Sequence, residues 1–385
     1  MRIMHISTRL ILGGSQENTV LSCEGQAEAG HDVSLVFGPI YGPEGSLRDR
    51  ATAHGGIEMV ETPNLVRELA PMRDFRCYRD LKGLIAAWEP DVVHTHSSKA
   101  GILGRAAAWK LGVPCVIHTI HGLPFHPYEQ AWRNRLYIAS ERWAARRCHK
   151  LVCVADAMRD QALAKGIGRL DQFVTIYSGM EVEKYQNPEL SSKEIRQALG
   201  LSSDDFVVGT VSRLAQHKGH DDVLVALGKE LRNDPAMKLL WVGDGWWRQR
   251  LEARARKMGV ENQIIMVGLV PPETIASHIA AMDVLVHPSY REGLPRTVVQ
   301  AMLGGKPVIA HDVDGTREVC LPDKTGYLIG VGDHDALRNA VLELQANPEK
   351  RVAMGRAGRD LCKDQFAATK MVEHLDKLYK EVLVG

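Results

Sequence analysis

Short apolar runs rich in Val and Ile alternate along the chain with longer stretches in which apolar residues recur at helical spacing. The early runs are RIMHIS, VSLVF, DVVHTH, CVIHTIH, KLVCVA and FVTIY. Continuous apolar runs of this length read as strands buried on both faces, and the helical stretches between them supply crossovers, so the pattern predicts a parallel sheet covered by helices. The runs end where residues turn small or polar, and in such a sheet the carboxyl ends of the strands line a crevice. The pattern restarts after Tyr185. NPELSSKEIRQALGL offers Asn, Pro and paired Ser ahead of a helix, followed by FVVGTVSRL, KLLWVGDG, QIIMVGL, VLVHPS and PVIAHD. An α/β chain of two doubly wound halves is expected, with its boundary at 185/186. The segment QFAATKMVEHLDKLYKEVL carries apolar residues at helical spacing and predicts a terminal helix over about 364–385.

Composition narrows this picture. The chain has 385 residues, 45% of them hydrophobic and 25% charged, which excludes a disordered or collagen-like polymer and suits two domains of roughly 100 to 200 residues each. Forty-eight Lys and Arg against 47 Asp and Glu leave a formal net charge of +1, so no global field attracts nucleic acid and any anion site must be local. The seven cysteines are scattered, without a CxxC, which fits neither a disulfide framework nor a zinc cluster and points to a reducing cytoplasm. MRIMHIST starts an alternating strand, not an apolar signal core, and no apolar run approaches the roughly 18 residues of a membrane span, so membrane contact is expected to be peripheral at most.

The residues able to carry chemistry sit at strand ends. Gly13-Gly14-Ser15-Gln16 follows the first strand and opens a helix near Ser15, the expected N-cap; bare glycine backbone and helical N–H groups suit a phosphate, although a tight βα turn explains the same residues. The spacing is not GxGxxG, so a nicotinamide or flavin fingerprint is absent. Arg213 and Lys218 in SRLAQHKGH follow another strand and could clamp a diphosphate, or could be solvated surface cations. In HPSYREGLPRTVVQAMLGGKPVIA a strand ends at His287-Pro288-Ser289. A loop with Glu292, Gly293 and Leu294 leads into a helix over about 296–303, stopped by Gly304-Gly305. Glu292 either faces a ligand while the Gly293 and Leu294 amides meet an anion, or merely caps the helix. His121 in HTIHG ends the fourth of the early runs. His94 and His96 suggest a metal, but no third ligand is apparent, so strand-end packing with N-capping by Ser97 or Ser98 is expected and no metal site is assigned.

GGSQ, HTHSSKAGILGR, HTIHG, YSGMEVEKY, SRLAQHKG, VGDG and HPSYREGLP followed by QAMLGGKPVIA resemble, in order and spacing, the retaining glycosyltransferases of family 4. The resemblance runs through nearly the whole chain. It implies two Rossmann-like domains facing across a cleft (the GT-B architecture), a last helix crossing back to the first domain, a nucleotide-diphosphate sugar donor held mainly by the second, and no cofactor or catalytic metal. Position by position it implies that Arg213 and Lys218 meet the donor diphosphate, that Gly13 and Gly14, with Gln16 beside them, close on the same phosphates, and that His121 lies beside the donor sugar. Glu292 matches the first Glu of the family's Glu-x7-Glu motif, near the sugar hydroxyls. The second Glu is replaced by Gln300, which keeps one carbonyl acceptor for the ribose and loses the charge, at a cost of ~1 kcal/mol. The base is expected against backbone groups of residues 267–270, including Gly268 and Leu269.

Within that resemblance the donor reads as a UDP-hexose or UDP-N-acetylhexosamine and the acceptor as a glycan or lipid phosphate in bacterial-type glycan biosynthesis. EQAWRNRLYIASERWAARRCHK, with six Lys or Arg against two Glu and interspersed Trp, Leu and Tyr, reads either as a basic amphipathic helix on an anionic membrane or as a packed helix with a solvated face. Lys99 and Arg105 are expected on the acceptor side. Two other functions fit the same architecture: a sugar-nucleotide epimerase, and a non-catalytic sugar-nucleotide-binding scaffold motivated by Gln300.

Overall fold

The structure, a computed structural model, describes residues 1–42 and 45–385. The chain divides into two units, Met1–Gly179 with Ala368–Gly385, and Met180–Ala367. The first changeover therefore comes six residues before the boundary expected at 185/186. At the hand-over the Met180 amide donates to the Phe366 carbonyl at 2.7 Å, which pins both crossings of the chain to one point.

The first unit is a parallel sheet of seven strands: β1 (Arg2–Ser7), β2 (Asp32–Phe37), β3 (Ile57–Glu61), β4 (Val92–His96), β5 (Cys115–Ile120), β6 (Lys150–Cys153) and β7 (Phe173–Thr175). Their spatial order is β3-β2-β1-β4-β5-β6-β7. The order reverses between β1 and β4, and in open α/β sheets that switch point is where ligands enter. Helices cover both faces of the central strands β1, β4 and β5, where Val and Ile are interleaved with the buried polar residues His5, His94, Thr95, His118 and Thr119. One face meets the helix Gly14–Glu28 and the terminal helix Ala368–Val384, whose Met371, Val372, Leu375, Leu378 and Tyr379 pack on Ile3, Val92 and Ile117.

The second unit repeats the scheme with β8 (Phe206–Val211), β9 (Met237–Val242), β10 (Ile264–Gly268), β11 (Val284–His287), β12 (Val308–His311) and β13 (Gly326–Ile329), in the parallel order β10-β9-β8-β11-β12-β13. Its switch point lies between β8 and β11. Trp241, Leu227 and Val341 belong to its buried core. The helix expected after NPELSS is Ser192–Ala198, opened by a reciprocal capping box between Ser191 and Glu194.

Two strands escaped the sequence reading, β3 and β13. Both are edges with half-exposed positions, so neither shows the continuous apolar run that marks the central strands. His121 accordingly follows the fifth strand and not the fourth. The first helix begins at Gly14 with Gly13 as its cap, and Ser15 lies inside the first turn, where its hydroxyl donates to Gln16 Oε1 at 2.9 Å.

Candidate functional site

In the second unit the loops after β8 and β11 meet at the switch point. Gly219 makes the approach possible: its φ is +70°, and a Cβ there would lie 2.0 Å from the Pro288 carbonyl oxygen. Only glycine fits both requirements. The contact is tied by the Tyr290 amide, which donates to the His217 carbonyl at 2.9 Å. It brings together residues 74 apart in sequence: Lys218 Nζ donates to Glu292 Oε1 at 2.5 Å. His287 Nε2 donates to the same oxygen at 2.9 Å, leaving His287 Nδ1 to accept from the Thr297 hydroxyl at 3.2 Å. Burial alone would raise the Glu292 carboxyl, yet the Lys218 ammonium and the His287 ring outweigh it and hold the group well below its ordinary value.

Glu292 therefore does not cap the following helix. The cap position is Pro295, with no side-chain hydrogen bond, and the positive end of the Arg296–Leu303 helix lies at the same strand end. The loop carrying Glu292 and Gly293 is held by Asp314, which accepts from the Glu292 amide at 2.6 Å, and by Gly315, whose amide donates to the Gly293 carbonyl. Leu294 is buried, and Gln300 is buried one turn into the helix. Arg213 follows β8, with its guanidinium 5.8 Å from the centre of the Trp246 ring. Gly268 ends β10 at φ +85° and accepts from the Gly243 amide at 2.9 Å, while Leu269 next to it is exposed. The surroundings are positive: His217 is lowered to about 4 by burial and by the neighbouring Lys218 and Arg291 cations. Sequence reasoning passed over His287 and Asp314; the strand-end position of His287 was the available signal.

In the first unit the loops after β1 and β4 are joined at their own switch point by Thr8. Its hydroxyl lies 2.7 Å from the Ser97 hydroxyl and accepts from the Ala100 amide at 3.2 Å. Ser97 occupies the expected cap position, but the cap bond comes from Thr8; Ser97 Oγ itself donates to the His96 carbonyl. Gly13, Gly14 and Gln16 follow β1, and His121 follows β5. The third partner missing for His94 and His96 is His5, paired with His94 in the β1–β4 register, and the three rings bring nitrogens within 4.8 Å of one another. The MRIMHIS run held that signal, hidden until strand order placed β1 beside β4.

Two other expectations need correction. Arg105 faces the interior and no acceptor: its side chain is 0% exposed and donates to Glu141 Oε2 at 2.8 Å. Lys99 is half used in the same way, paired with Asp74 at 2.5 Å and donating to the Glu68 carbonyl. All seven cysteines are buried and unbridged.

A family model described as Glycosyl transferase 4-like domain matches residues 13–178, and one described as Glycosyl transferases group 1 matches residues 191–361. This chain is a family 4 glycosyltransferase. It is 26% identical to the UDP-Gal:alpha-D-GlcNAc-diphosphoundecaprenol alpha-1,3-galactosyltransferase of Escherichia coli, over 100% of this chain and 98% of that one. It is 28% identical to a GDP-mannose-dependent alpha-mannosyltransferase of Mycobacterium tuberculosis, over 91% of each. Among solved structures, Anabaena HepE in complex with UDP-glucose superposes with a TM-score of 0.84 at 20% identity, covering 99% of this chain and 100% of that one. The fold of this transferase is thus GT-B, two Rossmann-like domains, and no described helix is long and apolar enough to cross a membrane.

Proposed function

We propose that this transferase moves a hexose or N-acetylhexosamine from a UDP-sugar to a glycan or lipid-linked acceptor, with retention at the anomeric carbon. The observation that carries the reading is the Lys218–Glu292–His287 cluster at the switch point of the second unit. Glu292, held ionised, accepts hydrogen bonds from sugar hydroxyls. Lys218 Nζ spends one proton on Glu292 and keeps two for phosphate oxygens, so reading the sugar and holding the diphosphate are mechanically one device. The relatives support a nucleotide-sugar donor, and the names of the Escherichia coli relative and the HepE complex favour uridine.

Chemistry follows from the charge that develops. As the bond from anomeric carbon to phosphate oxygen breaks, the sugar gains oxocarbenium character and negative charge gathers on the leaving diphosphate. Arg213, Lys218 and the N-terminal dipole of Arg296–Leu303 stabilise that charge, and we assign its neutralisation to these groups without a divalent cation. Engaged on hydroxyls and by Lys218, Glu292 itself is not placed as a nucleophile. Retention then follows from same-face attack, the leaving phosphate taking the acceptor's proton. In the first unit Gly13, Gly14 and Gln16 serve the phosphates and His121 the sugar. Gln300 keeps a weakened ribose contact.

An acceptor at an anionic membrane is supported by the helix Ala131–Ala145. Trp132, Leu136 and Trp143 fall on one stripe of it, 59%, 45% and 44% exposed, with Arg133, Arg135, Arg142, Arg146 and Arg147 on either side. Glu141 is withdrawn to Arg105, so the outer face is almost purely cationic.

A thermal-shift panel of UDP-, GDP- and ADP-sugars in chelator tests the donor. UDP-sugars should raise the melting temperature by mass action and be hydrolysed slowly or transferred. Stabilisation only by a guanosine or adenosine sugar overturns the uridine assignment. Binding with neither transfer nor hydrolysis favours the scaffold reading that Gln300 motivates.

A further inference from the structure

Three of the histidines in the first unit form a chain end to end. His5 Nε2 lies 2.7 Å from Gln26 Oε1, His5 Nδ1 lies 2.9 Å from His96 Nε2, and His96 Nδ1 lies 3.1 Å from His121 Nε2. Ring centroids are 5.2 Å and 5.4 Å apart with planes tilted by 16° and 29°, so each bond runs nearly in the plane of both rings. Facing nitrogens that close cannot both point lone pairs at a shared cation, and in-plane contact is what an N–H···N bond requires. The chain crosses three adjacent strands, from the helix Gly14–Glu28 through β1 and β4 to the end of β5.

A neutral imidazole has one donor and one acceptor, so a row of them must run in a single direction set at one end. Burial keeps the interior rings neutral: His5 is lowered to about 4, and His96 well below its ordinary value by burial and the neighbouring rings. The end is fixed by Gln26, whose carbonyl oxygen can only accept. Its amide is oriented in turn by Nε2, which donates to the Tyr379 hydroxyl at 3.3 Å on the terminal helix, and that hydroxyl donates to His94 Nδ1 at 2.5 Å. Hence His5 donates through Nε2 to Gln26, His96 through Nε2 to His5, and His121 through Nε2 to His96.

We infer that Gln26, His5 and His96 are positioning residues that hold His121 as the Nε2–H tautomer, so that Nδ1 carries the lone pair on the side of the ring that serves a hydroxyl of the donor sugar. The sugar contact rests on the function proposed above; the tautomer does not. The terminal helix, far along the chain, thereby enters the site through Tyr379 and Gln26.

The test is two-bond proton–nitrogen correlation spectroscopy of the full chain labelled with 15N-histidine, first without ligand, His121 being assigned by its disappearance in His121→Asn. His5, His96 and His121 should all show the Nε2–H pattern at pH 8, and His5 and His96 should keep it down to about pH 6. Tyr379→Phe, which keeps the ring packing, and Gln26→Leu should convert His121 to a mixture of tautomers. Donor kcat/KM should then fall roughly tenfold, as expected for one hydrogen bond wrongly presented. Thr119→Val removes the partner of His94 Nε2, 2.7 Å away and outside the chain, and should leave the His121 pattern alone. An Nδ1–H pattern for His121 in the unaltered protein, or a His121 pattern indifferent to both Tyr379→Phe and Gln26→Leu, overturns the proposal. So does stoichiometric zinc uptake that shifts the nitrogens of His5, His94 and His96 together, which would make the cluster a metal centre. The spectra need no substrate, so a failed activity assay counts against the sugar reading and not against the tautomer.

Discussion

Replacing Lys218 with Met separates the two tasks given to this side chain. The ammonium is lost while the stem is nearly conserved. Towards the reaction, one fixed positive group disappears from the leaving diphosphate, which typically costs about 2.7 to 4 kcal/mol of barrier, or roughly a 100- to 1,000-fold fall in kcat. Towards the fold, Glu292, 14% exposed, loses the stronger of its two partners and keeps only His287. Stranding a fully buried charge costs about 3 to 5 kcal/mol; residual water access and the remaining His287 bond place this case below that range. The double variant Lys218→Met/Glu292→Gln removes the stranded charge, so its stability should recover towards that of the unaltered protein while its turnover stays low. Four proteins, the two singles, the double and the parent, are compared by thermal unfolding and by initial rates of nucleoside diphosphate release at saturating and limiting donor. A coupling energy of roughly 0.5 to 3 kcal/mol in stability is expected for residues in such direct contact. Turnover within threefold of the parent in a folded Lys218→Met would refute the phosphate role, and additive stabilities would refute the ion pair as drawn.

Gly219→Ala places a methyl against the Pro288 carbonyl at a backbone φ of +70°; a lowered melting temperature and a loss of transfer together are expected, and an unaltered rate would show that the two loops need not meet so closely. Acid should destabilise the protein early. His5 and His217, lowered from 6.5 to about 4, and His220, lowered to about 3, bind protons in the unfolded chain before they do in the native one, so stability is full above about pH 6.5 and declines as pH falls towards 4. A melting temperature flat between pH 7 and pH 5 would contradict their burial as neutral rings. Gln300→Glu should leave transfer intact or tighten donor binding in calorimetry; much weaker binding by a well-folded variant would remove Gln300 from the ribose. Sedimentation with anionic vesicles should decline with salt and with Trp132→Ser/Trp143→Ser, and absence of any salt-sensitive binding would end the membrane reading without touching the transferase one.

The linear chain determined a good deal. Alternating apolar runs and helical stretches specified two parallel sheets, because strands buried on both faces are mostly apolar and admit polar residues only where partners satisfy them, and the strand-end motifs, read in order, pointed to the family that the domain comparisons identify. Arg296–Leu303 was legible to the residue because an apolar helical stripe ends at paired glycines. Tertiary structure alone decided the rest. The edge strands β3 and β13 gain their strand character from a neighbour's hydrogen bonds more than from their own pattern. Arg105, expected from sequence on the acceptor side, is instead interior and paired with Glu141. Lys218 and Glu292 share a bond because strand order puts β8 beside β11, and His5, His96 and His121 line up because β1, β4 and β5 are neighbours. Sequence periodicity encodes which face a residue takes within its own element. Which elements lie side by side is settled by packing the whole sheet, and side-chain chemistry between distant residues exists only once that order is set.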